Sequence, residues 1–85
     1  MELSDKANKI VSDITSVFDG FNISLDERDT LAYPVVKAYF IGKYGREYYE
    51  DKKISSLSEE VHLGLARDKV NRKYNLEAEE SSVEG

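Results

Sequence analysis

Between Leu3 and Phe18 the apolar residues recur every three or four positions: Leu3, Ala7, Ile10, Val11, Ile14, Val17 and Phe18. At about 100° per residue they fill one stripe about 120° wide, the signature of an amphipathic helix with one buried face. Lys6, Asn8, Lys9, Ser12, Asp13, Thr15 and Ser16 take the remaining surface. Gly20 follows, and as a residue that accepts positive φ without a Cβ clash it is expected to end this helix.

Ser24-Leu25-Asp26-Glu27 reads as a capping box, in which the Ser24 hydroxyl accepts from the Glu27 amide and the Glu27 carboxylate reaches back. Asp26 and Glu27 also suit the positive end of a helix dipole. A second helix should therefore begin near Leu25. Pro34 removes an amide donor and disfavours the α region at Tyr33, so either one helix kinks there or a new helix starts with Pro34 in its first turn. The run from Val35 to Tyr44 is rich in residues that favour strands, and a hairpin about Tyr44-Gly45 is the competing reading. Apolar and polar residues do not alternate cleanly there, and only Lys37 and Lys43 break an otherwise apolar helical surface. The expectation is a helix buried on most sides, with Gly45 just past its end.

Arg46 to Ser55 is a polar connection carrying Tyr48 and Tyr49. Ser56-Leu57-Ser58-Glu59 forms a second capping box and predicts a third helix to about Tyr74. Its apolar residues form two sets. Leu57, Val61 and Leu65 share an arc of roughly 80°, while Leu63, Ala66, Val70 and Tyr74 share another on nearly the opposite side. One small core cannot bury both, so Leu63, Val70 and Tyr74 are expected to be at least partly exposed and to contact a partner. From Glu77 onward periodicity is lost and the chain is expected to be disordered.

Composition sharpens this picture. The 85 residues allow one domain with a modest core, divided here into a helical domain over 1–76 and an acidic tail over 77–85. The net charge of −5 belongs to the tail: Glu77, Glu79, Glu80 and Glu84 lie there, leaving thirteen acids against twelve bases over residues 1–76. A charge-based nucleic-acid mimic would need its carboxylates on the folded body. Absence of cysteine removes a disulfide framework and a thiolate metal site, and makes an intracellular setting the simpler expectation. No secretory signal follows Met1, and no apolar run approaches the roughly 20 residues that span a bilayer.

Little in the chain suggests catalysis. His62 is the only histidine; it has Glu59 and Glu60 beside it but not the three or four ligands a metal needs, and reads as a solvent-facing helical residue. Ser55, Ser56 and Ser58 lack a base and an orienting acid nearby, and capping explains them better. Gly42, Gly45 and Gly64 do not have the spacing of a phosphate loop. Arg67, Lys69, Arg72 and Lys73 would suit phosphates, but they also suit the negative end of a helix, and Asp68 sits among them. Six of the nine aromatic residues, Tyr33, Tyr39, Phe40, Tyr44, Tyr48 and Tyr49, fall within one stretch of the chain. Tyrosines suit both a core edge and an interface, so Tyr48 and Tyr49 join the candidate partner-binding residues.

The string Pro34-Val35-Val36-Lys37-Ala38-Tyr39-Phe40-Ile41-Gly42-Lys43-Tyr44-Gly45 resembles a pattern in small, mainly helical head–tail connector proteins of tailed phages. There, too, an aromatic-glycine ending closes a buried helix, and a polar stretch and last helix follow. The resemblance covers roughly Leu25 to Leu65; the short first helix and the acidic tail depart from it. It implies a virion assembly subunit that self-associates into a ring. The resulting expectation is an all-α bundle of three to four helices with a disordered acidic tail. Its expected role is non-enzymatic and cofactor-free: a structural or adaptor subunit of a multiprotein assembly, cytoplasmic or virion-associated. Protein partners are expected, with no small-molecule substrate, nucleic acid or membrane. The alternative is a small acidic inhibitor or immunity-type protein that sequesters a toxin or host enzyme.

Overall fold

Three helices carry the chain: α1 over Asp5–Gly20, α2 over Leu25–Tyr44 and α3 over Lys52–Glu84, with a single 3-10 turn at Tyr48–Glu50 before α3. The computed structural model describes the backbone of residues 3–84 and the side chains of residues 3–75. No strand occurs among the described residues, so the all-helical expectation holds and the hairpin alternative at Val35–Lys53 does not. The acidic segment 77–85, expected to be a disordered tail, lies outside the residues described with side chains.

Local chemistry sets most of the helix ends. The Ser4 hydroxyl accepts from the Ala7 amide at 3.2 Å and opens α1. Ser24 does the same for α2, accepting from the Glu27 amide at 3.2 Å. Gly45 closes α2 at φ 97°, its amide donating to the Ile41 carbonyl at 2.9 Å.

Three ends differ from expectation, the simplest being the C-terminal end of α3, expected near Tyr74 and found at Glu84. Gly20 is still helical, and the left-handed residue is Asn22 at φ 55°. Asparagine tolerates this region better than most side chains, which makes the turn into α2 possible without glycine. The start of α3 lies one turn before the Ser56 capping box. Asp51 Oδ1 accepts from the amides of Lys53 and Ile54 at 2.9 and 3.3 Å, so an acid at the positive end of the helix replaces the serine cap.

Pro34 neither ends α2 nor divides it. It lies on the exposed side, where water can reach the Thr30 carbonyl that loses its amide partner. The expectation that α2 is buried on most sides is also corrected. Only Val36 and Phe40 are fully buried, while Tyr33, Lys37 and Ala38 face outward. With three helices in the bundle, α2 keeps a wide solvent face.

The helix that lies between the others is α3. Contacting pairs Ser4–Glu60, Val11–Gly64 and Asp19–Arg72 advance together, so α1 runs parallel to α3. Pairs Asp29–Lys69 and Tyr33–His62 run in opposite senses, so α2 is antiparallel to it. Both α1 and α2 pack on α3 far more than on each other.

The core consists of Ala7, Ile10, Ile14 and Phe18 from α1, Val36 and Phe40 from α2, and Leu57, Val61 and Leu65 from α3. Burying each large apolar side chain is worth about 1.5–3 kcal/mol, against a net stability of order 5–15 kcal/mol for a domain. So thin a core leaves little to spare.

Val17, placed in the first stripe by its spacing, is instead 55% exposed, while Thr15 on the polar side is buried. The contact line drifts along α1 toward Thr15 and Asp19 as the helix crosses α3. The buried Thr15 hydroxyl remains satisfied by donating to the Ser12 carbonyl at 3.1 Å.

Gly64 permits the close approach of α1. A Cβ at this position would stand 2.6 Å from Val11 Cγ2 and 2.8 Å from Leu3 Cδ1. In an open helix Gly→Ala stabilises by about 1 kcal/mol. Gly64→Ala is expected to give no gain, or a loss, in the native background and to recover part of that gain in a Val11→Ala background, where only the flexible end of Leu3 remains close. Chemical denaturation of the four proteins of this cycle measures the coupling. Equal stabilisation in both backgrounds would show that Gly64 is not a packing contact.

Candidate functional site

Helix geometry puts the two apolar sets of α3 on opposite sides, and the bundle covers one of them. Leu57, Val61 and Leu65 are 7%, 0% and 8% exposed. Leu63, Val70 and Tyr74 are 38%, 64% and 71% exposed, and Ala66 between them is exposed as well. Their spacing of three and four residues keeps all four on one outward stripe. Ala66, Arg67, Val70 and Asn71 line a shallow depression of about 300 Å³ along it. Single exposed apolar residues are ordinary on a protein surface; a continuous stripe of this kind is less so.

The two candidate tyrosines of the connection separate. Tyr49 is 63% exposed. Tyr48 packs against the core, its ring 5.5 Å from that of Phe40, and is only half accessible. The 3-10 turn explains the difference, since adjacent residues on it point to different sides. The structure does not bring either tyrosine into the α3 stripe.

Three further large apolar side chains are exposed outside the α3 stripe. Phe21 is 76% exposed in the turn after α1, Tyr33 is 65% exposed on α2, and Val17 lies at the edge of the α1 stripe. Periodicity gave no signal for Phe21, which lies outside any helix. Tyr33 precedes the proline and has the His62 ring stacked on it, with centroids 6.0 Å apart.

An ionic network joins the three helices at the end of α1. Asp19 accepts from Arg28 Nη2 of α2 at 2.8 Å and from Arg72 of α3 at 2.8 and 3.1 Å. Arg72 also donates to Asp68 at 2.7 Å, and Lys69 pairs with Asp29. Lys69 and Arg72 thus have intramolecular partners, so the basic cluster is in part a clamp between helices. This is a different cause from the helix-end charge matching anticipated from the sequence. Arg28 is the most enclosed of these groups: its Nε donates to the Ile23 carbonyl at 3.0 Å and its guanidinium lies 5.5 Å from the Phe18 ring.

Hydrogen bonding from Arg28 holds the Asp19 carboxyl below its ordinary value, with Arg72 adding to the effect against partial desolvation. Burial pushes His62 below the ordinary imidazole value. His62 is therefore half buried against Tyr33, not the solvent-facing residue read from the sequence. Among the described residues no group of three or more His, Cys, Asp or Glu side chains is placed to hold a metal ion, and no helix is long and apolar enough to cross a membrane.

No protein-family model matches the chain, and no curated protein or solved structure matches it closely enough to carry an inference.

Asp19 and His62 give stability the same sign of pH dependence. Asp19 and His62 bind protons less readily in the folded state than in the unfolded chain, so stability rises with pH through both ranges. On acidification the His62 contribution is lost first, below the ordinary imidazole value of 6.5, and the Asp19 contribution next, below the ordinary carboxylate value of 3.8. Thermal melts across pH should show both declines. His62→Gln is expected to flatten the upper one and Asp19→Asn the lower. An Asp19→Asn variant that loses stability on acidification as steeply as the native chain would show that the ionic network does not stabilise the fold.

Proposed function

We propose that this chain is a non-enzymatic structural or adaptor subunit of a multiprotein assembly, and that it contacts protein through the outward stripe of α3. The observation that carries this reading is the pair of opposed apolar faces on one helix. One face completes the domain's own core, and the other, Leu63, Ala66, Val70 and Tyr74, is left facing solvent. An apolar stripe ending in a tyrosine suits a protein surface, where the ring buries its body and keeps its hydroxyl wet. The exposed Tyr49 offers a second, separate contact. A phage head–tail connector, the family that the Pro34–Gly45 string resembles, is the setting this proposal favours.

Two aspartate substitutions test it. Val61→Asp buries a charge in the core and is expected to unfold the domain. Val70→Asp is expected to leave the helical circular dichroism intact and to reduce the assembled mass seen by light scattering toward that of a monomer. Unfolding by both variants would make the outer stripe core. Assembly unchanged by Val70→Asp would remove the stripe from the contact.

A further inference from the structure

Charge along the outer face of α3 is distributed unevenly. Glu59 lies at the N-terminal end of the stripe, Arg67 and Lys73 at its C-terminal half, and all three are exposed. Ala66 stands at the midpoint, seven residues from both Glu59 and Lys73. Seven residues is close to two helical turns, so Glu59, Ala66 and Lys73 follow one line beside Leu63 and Val70.

We infer that a second copy of this chain covers the stripe, with the two α3 helices antiparallel about a two-fold axis near Ala66. This rests on the contact-surface reading above and specifies its occupant. In the antiparallel arrangement Glu59 of each copy meets Lys73 of the other, and Leu63 of each seats in the shallow depression between Ala66 and Val70. A parallel arrangement sets Glu59 against Glu59 and Lys73 against Lys73, which is repulsive at both ends. The small side chain at Ala66 allows close approach at the axis, where helix axes pack about 8–10 Å apart. A two-fold contact is self-complementary and closes at two copies. The unit formed through this face is thus a pair. A ring of the connector kind would require another surface in addition.

The absence of cysteine makes the test direct. Full-length Glu59→Cys and Lys73→Cys proteins are prepared separately, then incubated alone and mixed in a glutathione redox buffer. A disulfide forms only where Cα atoms come within about 7 Å. The mixed pair also keeps one intact Glu59–Lys73 contact at its other end, which either self-pair lacks. The mixed 59–73 product is expected to predominate over both self-linked products and to be lost when Val70→Asp is added to both chains. Self-linked 59–59 and 73–73 products in place of the mixed one would overturn the antiparallel pairing while leaving the stripe as the contact. A mixed product that persists with Val70→Asp would overturn the apolar basis of the pairing. Absence of any linked product, with an assembled mass that still falls on Val70→Asp substitution, would overturn the antiparallel two-fold pairing and leave a self-contact of other geometry. A light-scattering mass that stays monomeric at every concentration would overturn both this inference and assembly through self-association.

Discussion

The packing of two short helices onto the same long one is the constraint on which the rest depends. α1 and α2 touch each other little, and each buries its apolar side against α3. Val61, fully buried in the N-terminal third of α3, and Gly64, one turn on, define the seat. Glycine is poor in a helix interior, costing about 1 kcal/mol relative to alanine. Here it admits the side chains of Leu3 and Val11 into space that a methyl group would fill. The loss in local propensity is offset by close packing of α1.

A helix loaded from one side keeps its other side for something else. Because α1 and α2 both lie toward Leu57, Val61 and Leu65, the turns bearing Leu63, Val70 and Tyr74 point away from the core. Ionic contacts at the far end of α1 join α3 to both shorter helices on the same side. Asp19 draws Arg28 and Arg72 onto one carboxylate, and Lys69 pairs with Asp29 of α2. These groups are partly exposed, so salt screens them and each is weak alone. Their geometry agrees with the rotation of α3 that burial of Leu57, Val61 and Leu65 sets: they tie α3 to α1 and α2 on the side away from the outer arc. Fold and proposed function are linked through this one rotation.

Much of this was legible in the residue pattern. The core of α1 followed from the spacing of Ala7, Ile10, Ile14 and Phe18, and the start of α2 from Ser24 and Glu27. The opposed arcs of α3 were readable because helix periodicity alone separates residue 61 from residues 63 and 70. What escaped the sequence depended on tertiary context. Val17 sits at the stripe edge, and only the crossing of α1 over α3 decides that Thr15 is buried in its place. The crowding of apolar residues from Val35 to Tyr44 implies a helix wrapped on most sides, yet the described residues hold no fourth helix to cover it. The serine-rich capping box at Ser56 was a plausible start for α3, but Asp51 lay one turn earlier and caps first. The side chains joined through Asp19 are far apart in sequence, so no local pattern could have connected them. For the outer stripe, the sequence identified the apolar residues and anticipated that Leu63, Val70 and Tyr74 stand exposed, as the fold shows.

Native-state amide hydrogen exchange resolved by residue tests the central role of α3 most directly. If both shorter helices depend on the seat formed by the turns around Val61 and Gly64, the amides of Val61 and Leu65 should exchange only through global unfolding. Those of Ile14 in α1 and Phe40 in α2 should then never outlast them. Faster exchange at Val61 and Leu65 than at Ile14 and Phe40 would contradict the account, because α1 and α2 would then hold their structure without the helix on which they are said to rest.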